Sequence, residues 1–173
     1  MCGNNEYVNH TSTHFHPVNS ENYLGGNATM QVSQILKTKT HGKLFSVLSG
    51  SILNDAVRIL SSERIGSVVV LGENDTLVGI FSERDTIRAL ATRGANCLEE
   101  QVNQFMTETV ETCSLTDQGV EVLKRMTEGR FRHMPVMESG GLVGMITIGD
   151  IVKSRLDTLL LENEAMQNMI RGY

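Results

Sequence analysis

An internal repeat constrains the fold of this chain more than any other feature. Residues 47–74 align with residues 113–140 at an offset of 66 positions, and after a one-residue gap residues 76–91 align with residues 141–156 at an offset of 65. A repeating unit of this length is too long for a solenoid and has the size of a small domain. The 173-residue chain is therefore predicted to contain two homologous halves that pack together.

Both halves predict the same order of elements, β-α-β-β-α. Leu53, Ala56 and Leu60 fall on one side of a helix, and Val122 and Met126 keep this apolar stripe in the second half. Short apolar segments predict the strands, at 45–48, 67–71 and 77–81 in the first half and at 110–113, 134–137 and 142–146 in the second.

The closing helix of each half begins directly after a strand, at Ser82 and at Thr147. The first is expected to end at Gly94, because a glycine just after a helix readily adopts the left-handed conformation. The second is expected to continue to about residue 170. The predicted fold class is α+β, a tandem of two β-α-β-β-α repeats packed pseudo-symmetrically.

The predicted organisation has four parts, which are a polar arm at 1–29, the first repeat at 30–96, the second repeat at 97–160 and an extension of the last helix at 161–173. The arm contains six Asn and few aliphatic residues, so it is expected to stay mobile for lack of apolar surface to bury. Its His10, His14 and His16 could form a metal site, although a plain polar segment is the favoured interpretation.

Composition excludes several classes of function. A net charge of −5 and an aromatic content of 5% argue against nucleic-acid binding, which needs a basic face and stacking platforms. No segment approaches the ~18 consecutive apolar residues of a membrane-spanning helix. The three cysteines, Cys2, Cys97 and Cys113, are widely spaced and indicate reduced thiols. With no secretory or transit signal at the start, the predicted location is the cytoplasm.

One motif occurs at the same strand-to-helix junction of both halves. It reads Gly-apolar-x-(Ser/Thr)-x-x-Asp, at residues 79–85 and again at residues 144–150. A hydroxyl residue and free N–H groups at a helix start suit a phosphate, and a carboxylate three residues later suits the two hydroxyls of a ribose. The same spacing is also that of a helix capping box, which needs no ligand.

A basic cluster favours the nucleotide interpretation. Arg130, Arg132 and His133 lie within four positions, directly before a predicted buried strand of an otherwise acidic chain. Such a group suits a phosphate, although a solvated turn that faces carboxylates would look the same. The first half shares only Arg64 of this cluster and has Ser67 where the second half has His133.

With its repeat, its doubled junction motif and its Arg-His pair before Met134-Pro135-Val136, the sequence resembles tandem CBS domains of the stand-alone bacterial type, over roughly residues 32–160. This resemblance implies a sensor that binds adenosine-containing ligands such as AMP, ADP, ATP, NAD or S-adenosylmethionine in two clefts between the halves. It also implies a homodimer that relays ligand binding to an unidentified protein partner, with no catalytic role.

The resemblance assigns site residues position by position. Asp85 and Asp150 would hold the ribose. The phosphate contacts would come from Ser82, Thr147, Arg132, His133, Arg84 and Arg130, and the adenine and sugar would be lined by Lys37, Thr38, Ile65, Gly66, Ser67, Met106, Thr107 and Ile146. The cleft around Asp150, with Arg132 and His133, is expected to bind more tightly than the cleft around Asp85.

Two alternatives from other classes remain. The clefts could be vestigial in an interaction scaffold, with Met166, Met169 and Ile170 of the long last helix forming a dimer or partner surface. The chain could also be an enzyme that uses Cys113 with His133. Against the enzyme, Cys113 aligns with a valine of the first half and is expected to be buried and inert to alkylation.

Overall fold

The structure is a computed structural model that describes residues 30–39 and 43–172. The helices are α1 (Val32–Thr38), α2 (Leu53–Glu63), α3 (Glu83–Arg93), α4 (Gly119–Gly129) and α5 (Ile148–Arg171). The strands are β1 (Ser46–Leu48), β2 (Ser67–Leu71), β3 (Leu77–Ser82), β4 (Cys113–Ser114), β5 (His133–Glu138) and β6 (Gly141–Thr147). The predicted arm and its three histidines lie outside the described residues.

The two halves form two separate three-stranded sheets with the same topology. The strand orders are β1-β2-β3 and β4-β5-β6, and in each sheet the first pair is parallel and the second is antiparallel. Val70 pairs with Gly79, Val136 pairs with Gly144, and the register shifts at the following residue in both sheets. The repeat read from the sequence is therefore confirmed to the level of single residue pairs.

Helix ends follow the predicted chemistry. Gly94 ends α3, as predicted, but with φ of 68° and ψ of −168° it adopts a positive-φ conformation outside the left-handed helical region. Arg64 and Arg130, which occupy matching positions of the repeat, end α2 and α4 in the left-handed conformation. The expected strand at 110–113 is shorter and later than predicted, since β4 begins at Cys113.

Each sheet is covered by a segment that leads into the other half. Val32 and Ile35 of α1 are buried in the core of the second half, although α1 precedes the first half. Cys97 and Val102, which precede the second half, are buried in the core of the first. Burial of apolar surface in these exchanged positions ties the halves together.

Glycines in β3 and β6 make room for the exchanged segments. A Cβ on Gly79 would contact the Met106 sulfur and would lie 2.9 Å from Met106 Cγ and 3.1 Å from the Thr107 carbonyl oxygen. A Cβ on Gly144 would lie 3.2 Å from a methyl carbon of Leu36. The sequence motif thus carries glycine because the side chains of the exchanged segments, and at Gly79 also the Thr107 backbone, pack close to the strand.

The last helix is much longer than its counterpart. α5 has 24 residues against 11 in α3, as the sequence predicts. Ile151 and Ser154 are buried, whereas most later side chains are exposed. Within the described residues, no helix combines the length and apolar character needed to cross a bilayer.

The close passage at Gly79 gives a test of the packing. We expect Gly79→Ala to lower the free energy of unfolding by about 1–3 kcal/mol, because Met106 and the Thr107 backbone must move. The matched control is Gly50→Ala, where a Cβ meets nothing within 4 Å and the expected change is within about 0.5 kcal/mol. Urea unfolding of both variants measures the difference, and equal stabilities would contradict the packing described.

Candidate ligand-binding clefts

The carboxylate of Asp85 caps the start of α3. Its Oδ2 accepts hydrogen bonds from the backbone N–H of Ser82 at 2.9 Å and from the Ser82 hydroxyl at 2.7 Å. Its Oδ1 accepts a bond from Arg88 at 2.7 Å, and the residue is 5% exposed. The capping interpretation of the motif is therefore confirmed in the first half.

Asp150 caps α5 in the same way but has a different cationic partner. Its Oδ2 accepts bonds from the N–H and the hydroxyl of Thr147 at 2.9 and 2.8 Å. The same oxygen lies 2.9 Å from the ammonium of Lys39, which comes from just beyond α1. Both junctions thus hold a carboxylate beside a cation, the first from its own helix and the second from the distant N-terminal segment.

A cavity of about 420 Å³ opens beside Asp85 and is lined by both halves. The first half contributes the start of α3 together with Gly66 and Ser67 of the preceding turn and strand. The second half contributes the loop from Arg130 to His133, and the connecting segment adds residues such as Thr107 and Glu111. This cavity, called here the Asp85 cavity, is a cleft between halves of the kind that ligands occupy.

The Asp85 cavity is rich in arginine. Arg84, Arg88, Arg130 and Arg132 line it, and within the described residues only Arg88 of these four makes an ion pair. Arg84 donates a hydrogen bond to the carbonyl oxygen of Arg130 at 3.0 Å and so connects the halves across the cavity. The three guanidinium groups without a carboxylate partner suit a phosphate.

One buried hydroxyl in this cavity lacks a partner. Ser67, which lines the cavity, is 7% exposed, and its Oγ is buried with no hydrogen bond among the described residues. Buried polar groups are normally hydrogen-bonded, because an unmet bond costs about 1–3 kcal/mol. A ligand that supplies a polar atom would satisfy this hydroxyl.

The starts of α3 and α5 offer fewer free backbone N–H groups for a phosphate than the sequence suggests. The N–H of Glu83 donates to the Gly66 carbonyl at 3.2 Å, and the N–H of Ile148 donates to the Arg132 carbonyl at 3.1 Å. The first N–H of α3 and of α5 is therefore used to fasten the helix to the loop before a neighbouring strand.

A second cavity of about 300 Å³, the Asp150 cavity, lies between α1 and the start of α5. Thr147, Asp150, Lys39 and Thr38 line it, together with Lys153 and Asp157 of α5. It contains no arginine, and its two lysines face two aspartates.

The lining of the two cavities does not support the predicted assignment of Arg132 and His133 to the cleft of Asp150, although the charges of Asp150 and Lys39 act on His133. Both residues line the Asp85 cavity instead, as does Arg130. The backbone of His133 pairs with Thr147, but its ring lies against Gly66 of the first half, where an added Cβ would be 2.9 Å from its Cε1.

The other predicted site residues divide into two groups. Those that line a cavity are Ser82, Arg84, Asp85, Gly66, Ser67 and Thr107 in the Asp85 cavity, and Thr38, Thr147 and Asp150 in the Asp150 cavity. Ile146 was expected to line the adenine or sugar, but it is fully buried in the second core because it alternates inward with Gly144 along β6. Ile65 and Met106 pack against the first core, and Lys37 is exposed on α1 without lining either cavity.

Several lining residues escaped the sequence reading. Arg88 and Lys153 align with each other in the repeat and lie one helical turn beyond Asp85 and Asp150. The sequence alignment could therefore have identified them as candidates. Lys39, Thr109 and Glu111 come from irregular connecting segments, where no periodic pattern marks a position. Among the described residues, no group of three His, Cys, Asp or Glu side chains is placed to hold a metal ion.

Cys113 and His133 do not form a pair. Cys113 is buried, burial raises the pKa of its thiol to about 11, and its sulfur faces the Pro135 carbonyl at 3.9 Å. Its register partner is Val136, three residues from His133, which corresponds to roughly 10 Å along a strand. The thiol therefore has neither the reactivity nor the base that nucleophilic catalysis needs.

Two β-α-β-β-α units with exchanged connecting segments, capped junctions and a cleft between them define a tandem pair of small domains. The sequence matches the CBS domain family over residues 32–92 and 102–157, and the chain belongs to that family.

The chain is 36% identical to the CBS-domain containing protein ATU1752 from Agrobacterium tumefaciens, with a TM-score of 0.69 over 73% of this chain and 99% of that one. It is 26% identical to the CBS domain pair of protein MJ0100, solved in complex with 5′-methylthioadenosine and S-adenosyl-L-methionine, with a TM-score of 0.64 over 76% and 98% of the two chains. A plant relative, the mitochondrial CBS domain-containing protein CBSX3 of Arabidopsis thaliana, is 28% identical over 82% of this chain and 72% of its own length.

The surroundings of His133 give a pH-dependent prediction. Burial lowers the pKa of this histidine below its usual 6.5, and the charges of Arg132 and Lys39 act in the same direction, while Glu83 and Asp150 oppose them. The unfolded chain therefore takes up the proton first as the pH falls. We expect the stability that His133 contributes to be complete above about pH 6.5 and to be lost progressively below it.

Urea unfolding between pH 8 and pH 5 measures this effect. His133→Gln should flatten the part of the pH dependence below about 6.5, because its side chain does not titrate. An identical pH profile for the wild type and the variant would show that His133 is not held in its neutral form by the fold.

Proposed function

We propose that this chain is a non-enzymatic regulatory module that binds an adenosine-containing ligand in a cleft between its two CBS repeats. The observation that carries the proposal is the Asp85 cavity, where a buried carboxylate, an unpartnered Ser67 hydroxyl and several arginines meet. The complex of the MJ0100 domain pair with 5′-methylthioadenosine and S-adenosyl-L-methionine supports adenosine as the common part of the ligand.

The roles of the side chains follow from their chemistry. Asp85, with a lone pair left on Oδ1 beyond its bond to Arg88, would accept hydrogen bonds from the ribose hydroxyls. Arg130 and Arg132 would bind phosphate oxygens from the side of the second half. Since the ligand would contact both halves, it would favour one relative arrangement of them, and a protein partner would read that arrangement through its differential affinity.

AMP, ADP, ATP, NAD and S-adenosylmethionine are the candidate ligands, and a thermal-shift series distinguishes them. A ligand present at 100 times its Kd adds about 2.7 kcal/mol of stability, which for a chain of this size is a rise of roughly 5–10 °C in Tm. Asp85→Asn should abolish the rise. The matched control is Asp55→Asn, an exposed carboxylate in the first turn of α2 that lines neither cavity.

The outcomes separate sensing from scaffolding. A rise with one adenosine compound that survives Asp55→Asn and disappears in Asp85→Asn supports the sensor. If none of the five compounds shifts Tm, the clefts are vestigial and the scaffold alternative is the better description.

We further propose that the chain forms a homodimer through α5. Val152, Leu156, Leu159, Met166 and Ile170 follow the three- and four-residue spacing of one helix face, and all are exposed, Ile170 by 86%. An apolar stripe of this length on a helix that extends beyond the domain body is typical of an association surface.

The mass in solution tests this surface. We expect light scattering after gel filtration to give twice the 19.1 kDa chain mass for the wild type and a lower mass for Leu156→Glu. Leu161→Glu is the matched control, because Leu161 is as exposed but lies on the opposite side of α5. A wild-type monomer, or equal effects of both variants, would contradict dimerisation through this stripe.

A further inference from the structure

The two junction aspartates are not equally free to accept a ligand. Lys39 donates to Asp150 Oδ2 at 2.9 Å and also to the carbonyl oxygen of Met145 at 2.9 Å. The side chains of Lys39 and Asp150 are only 19% and 20% exposed. The ammonium of Lys39 is therefore largely shielded from solvent, is held by two acceptors, and forms a direct ion pair with the Asp150 carboxylate.

In the first half, the carbonyl that corresponds to that of Met145 has a backbone hydrogen-bond donor instead of a lysine. Ile80, which matches Met145 in the repeat, accepts a hydrogen bond from the backbone N–H of Thr107 at 2.9 Å. No side chain is needed there, so the connecting segment passes the junction without placing a cation on Asp85. Lys39 is thus a feature of the second half alone.

The partner of Asp85 is more easily displaced. Arg88 is 59% exposed and stands on the same helix, three residues further on. Among the described residues, the Arg88 side chain makes one other hydrogen bond, a long one of 3.4 Å to the Phe105 carbonyl oxygen. A long exposed side chain can swing onto a bound phosphate and leave Oδ1 for the ligand, while the Ser82 bonds to Oδ2 keep the helix capped.

The charges of the two cavities also favour ligand binding beside Asp85 rather than beside Asp150. In the Asp85 cavity, Arg84, Arg130 and Arg132 make no ion pair within the described part of the chain, and the Ser67 hydroxyl is buried without a partner. Of the three acidic residues that line this cavity, Asp85 is paired with Arg88 and Glu111 with Arg125, so among the described residues Glu83 is left against three arginines that make no ion pair. In the Asp150 cavity two lysines are balanced by two aspartates.

We infer that the chain binds one phosphate-bearing adenosine ligand, in the Asp85 cavity, and that Lys39 keeps the equivalent place beside Asp150 closed to a second. The inference rests on the proposed function and adds the site, the stoichiometry and the need for phosphate.

Isothermal titration of the full chain with ATP, AMP and adenosine tests each part. We expect one equivalent per chain for ATP or AMP, and at least tenfold weaker binding of adenosine, which lacks phosphate. Arg132→Gln should weaken nucleotide binding at least tenfold, whereas Arg58→Gln, an exposed arginine of α2 outside both cavities, should leave it unchanged.

Two more variants address the buried groups. Ser67→Ala removes an unpartnered hydroxyl, so it should keep or raise Tm while weakening the nucleotide several-fold, which separates ligand contact from misfolding. Lys39→Met frees Asp150 for a ribose in a cavity without arginine, so it should let uncharged adenosine bind as a second, weaker equivalent that the wild type does not show.

The outcomes distinguish this inference from the proposed function. Two equivalents of nucleotide in the wild type, no second equivalent of adenosine in Lys39→Met, or nucleotide binding that is unaffected by both Arg132→Gln and Ser67→Ala would overturn the inference while the chain remained an adenosine sensor. Failure of the wild type to bind any of the three compounds, or S-adenosylmethionine and NAD in the same assay, would overturn the proposed function and the inference together.

Discussion

The exchange of connecting segments between the halves is the interaction on which the rest of the structure depends. Val32 of α1 is fully buried in the second core, and Cys97 and Val102 are fully buried in the first. Neither sheet has a complete core without the segment that leads into its neighbour. Removing either segment from the core that it covers would expose apolar surface. This packing and the hydrogen bonds from Arg84 to Arg130 and from Glu83 to Gly66 together hold the loops around the Asp85 cavity.

The doubled Gly-x-x-(Ser/Thr)-x-x-Asp motif is explained largely by this architecture. Gly79 and Gly144 are required by the close passage of Met106 and Leu36, and the aspartates cap α3 and α5. A motif that the fold itself requires will repeat in both halves whether or not a ligand binds there. Residues that do not repeat are therefore better candidates for ligand contacts. They differ sharply between the halves, since Arg84 aligns with Gly149 and Ser67 aligns with His133.

Sequence reasoning reached the fold because the repeat was read at single-residue register, and each strand pair depends on that register. It missed α1, which is only seven residues long, too short for its apolar spacing to repeat over several turns, and has no Ser, Thr, Asp or Asn at the N-cap. It placed the lining residues less well. Because β5 and β6 are neighbouring strands of one half, His133 was expected to contact a ligand beside Asp150, and its backbone does pair with Thr147 at that junction. The ring lies against Gly66 instead, and no local pattern encodes which half a loop side chain faces.

A nearly symmetric fold thus carries two unlike cavities, and two substitutions between the repeats and one difference between their connecting segments account for most of the difference. Arg84 spans to the Arg130 carbonyl across the first cavity, whereas its counterpart Gly149 has no side chain to make such a bridge. Ser67 is too short to reach a partner, whereas its counterpart His133 extends across to the other half. The backbone N–H of Thr107 donates to the Ile80 carbonyl in the first half, whereas the Lys39 ammonium donates to the matching Met145 carbonyl in the second. Each change leaves the cores intact, so the cavities are free to differ without loss of the packing that holds the halves together.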